Sequence, residues 1–176
     1  MHICTLTASD AACYRELMLE AYRLAPDAFT STAEEREREP EAWWVKRIAD
    51  PGGSSACFGA RQGGELLGAV ALEYASKPKT RHSAQIIGMY VRAPARGKGI
   101  GKALLMAAMN HAAQRPGTMI LTLTVTEGNE PAIRLYQDAG FHAWGTQPMA
   151  IATPAGYKGK VHMWRAVEDL RRETAA

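Results

Sequence analysis

Between Val91 and Lys102 the chain reads Val-Arg-Ala-Pro-Ala-Arg-Gly-Lys-Gly-Ile-Gly-Lys, with an apolar, strand-like run before it and a helix-like run after it. This junction constrains the fold more than any other segment, because it demands a strand that reopens as a helix through a glycine-rich turn. Gly97, Gly99 and Gly101 allow backbone conformations that a Cβ would forbid and let the chain approach a ligand closely. The first-turn N–H groups of the helix then point outward, where the helix dipole also favours negative charge. Arg96, Lys98 and Lys102 add positive charge. The segment reads as a cradle for a phosphate or pyrophosphate.

The rest of the chain supplies a mixed α/β order around that junction. Residues 2–6 form a short apolar strand. Ser9-Asp10 then caps a helix whose Tyr14, Leu17, Met18 and Ala21 share one face. Residues 34–39 alternate acidic and basic side chains and read as solvated surface. Pro40 opens a helix with Trp43, Trp44, Val45 and Ile48, and Asp50-Pro-Gly-Gly closes it. Residues 56–61 and 66–74 read as a hairpin turning at Gln62-Gly-Gly. A strand over 84–91, a helix over 99–114, a buried strand over 119–125 and a helix over 130–139 follow. Asn129 caps that last helix, Pro131 sits in its first turn and Gly140 ends it. Strands over 141–145 and 161–166 complete the pattern. One domain is expected over 1–168, with a polar, frayed tail over 169–176.

Composition narrows the classes. A net charge of +3 argues against blanket nucleic-acid binding. Three scattered cysteines and no His pair at ligand spacing suggest neither a disulfide framework nor a metal site. No apolar run approaches the roughly 18 residues of a membrane helix, and the N-terminus lacks a signal-peptide pattern. The expectation is a cytoplasmic protein with no membrane, nucleic-acid or metal partner. A homodimer is compatible with the sequence and is not specified by it.

Three phosphate loops compete for the cradle. A dinucleotide fingerprint, G-x-G-x-x-G, would need glycine where Lys102 stands, and the following strand lacks an acidic ribose partner. A Walker loop would need glycine at Arg96 and a hydroxyl at Ala103. The acyl-CoA loop, R/Q-x-x-G-x-G/A, fits Arg96-Gly-Lys-Gly99-Ile-Gly101 throughout.

A second block joins it. Asn129, Ala132, Leu135, Tyr136, Gly140 and Phe141 match N-x-x-A-x-x-L-Y-x-x-x-G-F. With both blocks, residues 85–141 resemble the GNAT superfamily of N-acetyltransferases, and the segments PDAFTSTAEER and GTQPMAIATPAGYKGKVHMW resemble flanking parts of many members more weakly. The resemblance implies a mostly antiparallel sheet of about six or seven strands with about four helices, and acetyl-CoA held in a splayed strand pair. Met89, Tyr90 and Val91 would pair with the pantetheine through their backbone, and an N–H at Met89 or Val91 would stabilise the oxyanion. Arg96, Gly97, Lys98, Gly99, Ile100, Gly101 and Lys102 would hold the pyrophosphate. Asn129 would bond the pantetheine amide, cap its helix, or both. Tyr136 would protonate the leaving thiolate, or simply pack in the core.

The acceptor end is less legible. The histone-acetylating branch has a glutamate base where Gln85 stands, and the ribosomal N-terminal branch has one where Thr124 stands. Glu73, His82, Glu127 or no base at all remain open. Tyr22, Phe29, Trp43, Trp44, Trp144, Tyr157 and Trp164 are candidates for an acceptor wall or for the core. The resemblance thus implies acetyl transfer to a primary amine in a ternary complex, with a non-catalytic acyl-CoA sensor as the alternative.

Overall fold

A computed structural model of the chain describes residues 1–175. Among them, seven strands form one sheet: β1 (His2–Thr5), β2 (Ser55–Gln62), β3 (Glu65–Tyr74), β4 (Ser83–Val91), β5 (Ile120–Thr126), β6 (His142–Thr153) and β7 (Gly156–Ala166). Their order is β1-β2-β3-β4-β5-β7-β6. Every neighbouring pair is antiparallel except the central β4–β5 pair. The helices are α1 (Ala11–Leu24), α2 (Ala33–Glu37), α3 (Glu41–Ala49), α4 (Ile100–Gln114), α5 (Glu130–Asp138) and α6 (Val167–Ala175).

Strand alternation divides the core in two. Phe58, Val70, Leu72, Ile86, Leu121 and Leu123 face α4, whereas Cys57, Ala69, Ala71 and Ile87 face α1 and α3. α1 buries Tyr14, Leu17, Met18 and Ala21 as its periodicity predicts. In α3 the same rule buries Trp44 and Ile48 and leaves Trp43 at the rim.

Six helices stand where about four are expected. α2 is a single short turn-and-a-half inside the charged stretch, held by a reciprocal capping box between Thr32 and Glu35. The other addition corrects the expected frayed tail. α6 carries Val167 and Leu170 on one face, both fully buried in the α4 core, and Arg171 Nε donates to Ala113 O at 3.0 Å. Two apolar residues among charged ones conceal this stripe in the sequence. Leu170→Ala should therefore cost about 2–3 kcal/mol, read as a lowered urea midpoint, whereas a frayed tail predicts no change.

The last two strands also run much further than the expected 141–145 and 161–166. Pro148 disguises β6, but β6 is an edge strand, where proline is tolerated. The expected strand start at Met119 shifts by one residue, and Met119 is exposed.

Candidate active site

β4 and β5 pair only at Ser83–Ile120, Ala84–Leu121 and Gln85–Thr122, then separate. A bulge drives the opening. Ala71 pairs with Ile87 and Ala69 with Tyr90, so β4 carries one extra residue there. Gly88 supplies the turn at φ +58°, and a Cβ on it would meet Tyr14 Oη at 3.3 Å. The extra residue inverts the face of everything after it. Ile86 faces α4, yet Tyr90 faces α1, while Met89 and Val91 pack on the α4 side. Arg92 N donates to Leu67 O on β3, so by alternation the backbone groups of Val91 and Met89 face the gap.

The glycine-rich turn lies at one end of this gap. Gly97 and Gly99 adopt φ +75° and +76°, and a Cβ on either would meet no atom within 4 Å. Gly99 is the N-cap of α4 and contributes no side-chain hydrogen bond, so the helix start is left open to an outside acceptor. Together with β4 and α5 the turn lines a groove of about 530 Å³ that includes Met89, Tyr90, Val91, Arg96 and Lys102. Gly97, Gly99, Ile100, Gly101 and Asn129 line it too. Lys98 does not: its side chain is exposed outside the groove. Arg96 Nε donates to Val91 O at 2.9 Å, and its guanidinium stacks 5.5 Å from the Tyr90 ring. Open αL glycines, an uncapped helix start and an unpaired strand edge fit the pyrophosphate and pantetheine of an acyl-CoA.

Asn129 caps α5, its side chain accepting from Ala132 N at 3.4 Å. Arg165 donates to Ala139 O and closes the other end beside Gly140, whose Cβ would clash with the guanidinium. α5 is thus held at both ends, and it fixes Tyr136. That side chain is 6% exposed and sits edge-to-face with Phe141 at 6.1 Å. Burial pushes its phenol up to about 12, so it stays protonated at neutral pH. Its hydroxyl makes no hydrogen bond to a described residue.

Tyr136 lines a second, smaller cavity of about 200 Å³, which adjoins the groove through Met89, Asn129, Ala132 and Leu135. Tyr22 and Phe29, edge-to-face at 4.9 Å, roof it. The loop that leads to Phe29 is tied down at three points. Thr126 Oγ1 donates to Asp27 O at 2.6 Å, Lys158 pairs with Asp27 at 2.6 Å, and Lys160 Nζ donates to Ala28 O at 3.3 Å. Of the other candidate wall aromatics, Trp43 lines a neighbouring cavity, Trp44 is buried in the core, and Trp144, Tyr157 and Trp164 are exposed away from both.

None of the three candidate bases reaches the cavity of Tyr136. Glu73 is paired with Arg47 at 2.6 Å in the neighbouring cavity, beside Gln85. Glu127 accepts from Gly159 N at 3.3 Å on another surface, and His82 is exposed. The sequence reading passed over Gly88, Arg36, Arg47 and Lys160. A glycine inside a strand run is a bulge signal that would have exposed the first; the three cations carry no local signature.

The family model for the Acetyltransferase (GNAT) family matches residues 18–141. An uncharacterized N-acetyltransferase of Methanocaldococcus jannaschii is 32% identical over 138 residues, which are 77% of this chain and 58% of that protein. The mycothiol acetyltransferase of Thermomonospora curvata is 29% identical over 119 residues, 68% of this chain and 36% of that protein. The chain therefore spans less than two thirds of the length of these curated relatives. Among solved structures, a phosphinothricin acetyltransferase from Sinorhizobium meliloti in complex with AcCoA superposes with a TM-score of 0.80 at 21% identity. That likeness covers 94% of this chain and 87% of the other, and it is one of fold. Among the described residues no helix is long and apolar enough to cross a membrane.

Proposed function

Because the chain belongs to the GNAT acetyltransferase family, we propose that it moves acetyl from acetyl-CoA to a primary amine by direct attack in a ternary complex. One observation carries the reading: the splayed β4–β5 gap joins an uncapped, glycine-lined helix start to the unpartnered hydroxyl of Tyr136. The donor supplies a thioester, whose C–S bond breaks as the new C–N bond forms.

The chain's own groups then have separate tasks. The first-turn N–H groups of α4, with Arg96 and Lys102, hold the phosphates. Met89 and Val91 offer N–H groups along the gap, which orient the pantetheine and stabilise the oxyanion. The Tyr136 hydroxyl donates its proton to the departing sulfur and regains one from water, into which the acceptor amine has released its own. Among the described residues the cavity around Tyr136 has no carboxylate in its lining, so the acceptor amine enters neutral and releases its second proton to water. Turnover should accordingly rise with pH as the acceptor ammonium deprotonates. Tyr136 imposes no fall until its own range near 12, because the acid form persists below that value. A kcat/KM profile between pH 6 and 10, taken with an acceptor amine that carries no carboxylate, checks this; a bell peaking near neutrality would refute it.

Thiol release from acetyl-CoA with peptide N-termini, polyamines, amino acids and aminoglycosides tests the reading as a whole. Release with one of these classes is expected. Tight acetyl-CoA binding with no release from any would instead support a non-catalytic sensor.

A further inference from the structure

Among the described residues, the lining of the cavity around Tyr136 includes three cationic side chains, Arg36, Arg47 and Lys160, and no aspartate or glutamate. Two of them have carboxylate partners that stand outside it. Arg36 pairs with Glu39 at 3.2 Å, and Arg47 with Glu73 at 2.6 Å. Lys160 has none among the described residues. It lies on β7 opposite Thr126 of β5, beyond the point where β4 has left β5. It is 6% exposed, and its Nζ donates to Thr126 Oγ1 at 2.8 Å and to Ala28 O at 3.3 Å. An ammonium has three protons to donate, and these bonds use two.

A buried cation without a counter-ion is costly, and burial alone already pulls the Lys160 ammonium below its usual range. The donor's phosphates cannot supply the missing charge, because their cradle lies in the adjoining groove, whose lining includes none of these three cations. The acceptor is the remaining candidate. Polyamines and aminoglycosides would bring further positive charge into a positive cavity, and like-charge contact disfavours them.

We propose that the acceptor is an amino acid-like molecule whose carboxylate is received by Lys160, with Arg47 facing it across the same cavity. This rests on the transferase reading above and specifies its substrate class. The carboxylate completes the third hydrogen bond of Lys160 and turns the amine of the same molecule toward the gap between β4 and β5. Charge-assisted bonds of this kind are roughly twice as strong as neutral ones, so they dominate recognition in so small a cavity.

The test compares L-α-amino acids and ω-amino carboxylates with their own carboxamides, by thiol release at saturating acetyl-CoA. An α-amino acid amide has the less basic amine, so more of it is neutral at pH 7; a preference for the acid cannot then come from nucleophile supply. The acid of at least one pair should be preferred by about tenfold or more in kcat/KM, the scale of one charge-assisted hydrogen bond. Lys160→Met should erase most of that preference through KM, and Lys160→Arg should keep part of it. Equal use of acid and amide, or preference for the amide, would overturn the substrate assignment while leaving the transferase standing. Equal loss of kcat for acid and amide in Lys160→Met, with acetyl-CoA binding intact, would overturn it in favour of proton transfer by Lys160. Acetyl-CoA binding without thiol release from any member would overturn the transferase reading, and this inference with it. The comparison on the unaltered protein decides the matter even if Lys160→Met does not fold.

Discussion

Tyr136→Phe should lower kcat by about 10²–10⁴-fold, the usual contribution of a positioned general acid. Acetyl-CoA affinity should hardly change. The hydroxyl does nothing to hold the fold. It makes no hydrogen bond to a described residue, while the ring packs on Phe141 and the α4-side core. Phenylalanine keeps that packing and removes a buried polar group with no protein partner, so stability should hold within about 1 kcal/mol. Stopped-time thiol release, isothermal titration with acetyl-CoA and a urea melt separate the three quantities. Unchanged turnover would reduce Tyr136 to a packing residue and remove the proton donor from the proposed mechanism.

Gly99→Val should weaken acetyl-CoA binding about 30-fold, and the reason is conformational. At φ +76° a β-branched residue is strained by about 1–3 kcal/mol. The loop escapes that strain by leaving the αL region, which swings the first-turn N–H groups of α4 away from their shared target. If it does not escape, the new side chain projects into the open groove where the phosphates are cradled. Either route costs the ligand on the order of 2 kcal/mol, equivalent to that 30-fold loss. Gly63→Val provides the control. Gly63 has φ +58° in the β2–β3 turn, also with open space around its missing Cβ. It should lose comparable stability and no affinity. Undiminished binding by Gly99→Val would show that the turn is not the phosphate cradle.

The two sites of mutation differ in how far the sequence betrays them. Gly99 is legible because its role is local: a glycine, a following helix and flanking basic residues lie within one short segment. Asn129 as the cap of α5 and the buried stripe of α1 are legible for the same reason, since capping and helical periodicity depend on near neighbours. Tyr136 is half legible. Its helix face follows from spacing, but whether its hydroxyl meets a partner or a cavity depends on residues far along the chain.

Other features escaped because local signals mislead or are silent. Polar composition hid α6, whose two buried residues matter only because α4 offers a groove for them. Pro148 disguised β6, whose edge position makes it tolerable. The opening of β4 from β5 needs the Gly88 bulge to be registered against Ala69 and Ala71 of a different strand.

The α/β order and the anion-seeking helix start at Gly99 are written in local sequence, because backbone conformation within a turn is set by the residues in that turn. Tertiary structure alone decided that Arg36, Arg47, Tyr136 and Lys160 share one cavity without a carboxylate in its lining. Those four side chains come from α2, α3, α5 and β7, which only the assembled fold brings to one cavity. No spacing along the chain encodes their meeting, and the charge they impose on an acceptor exists only once both cores have formed.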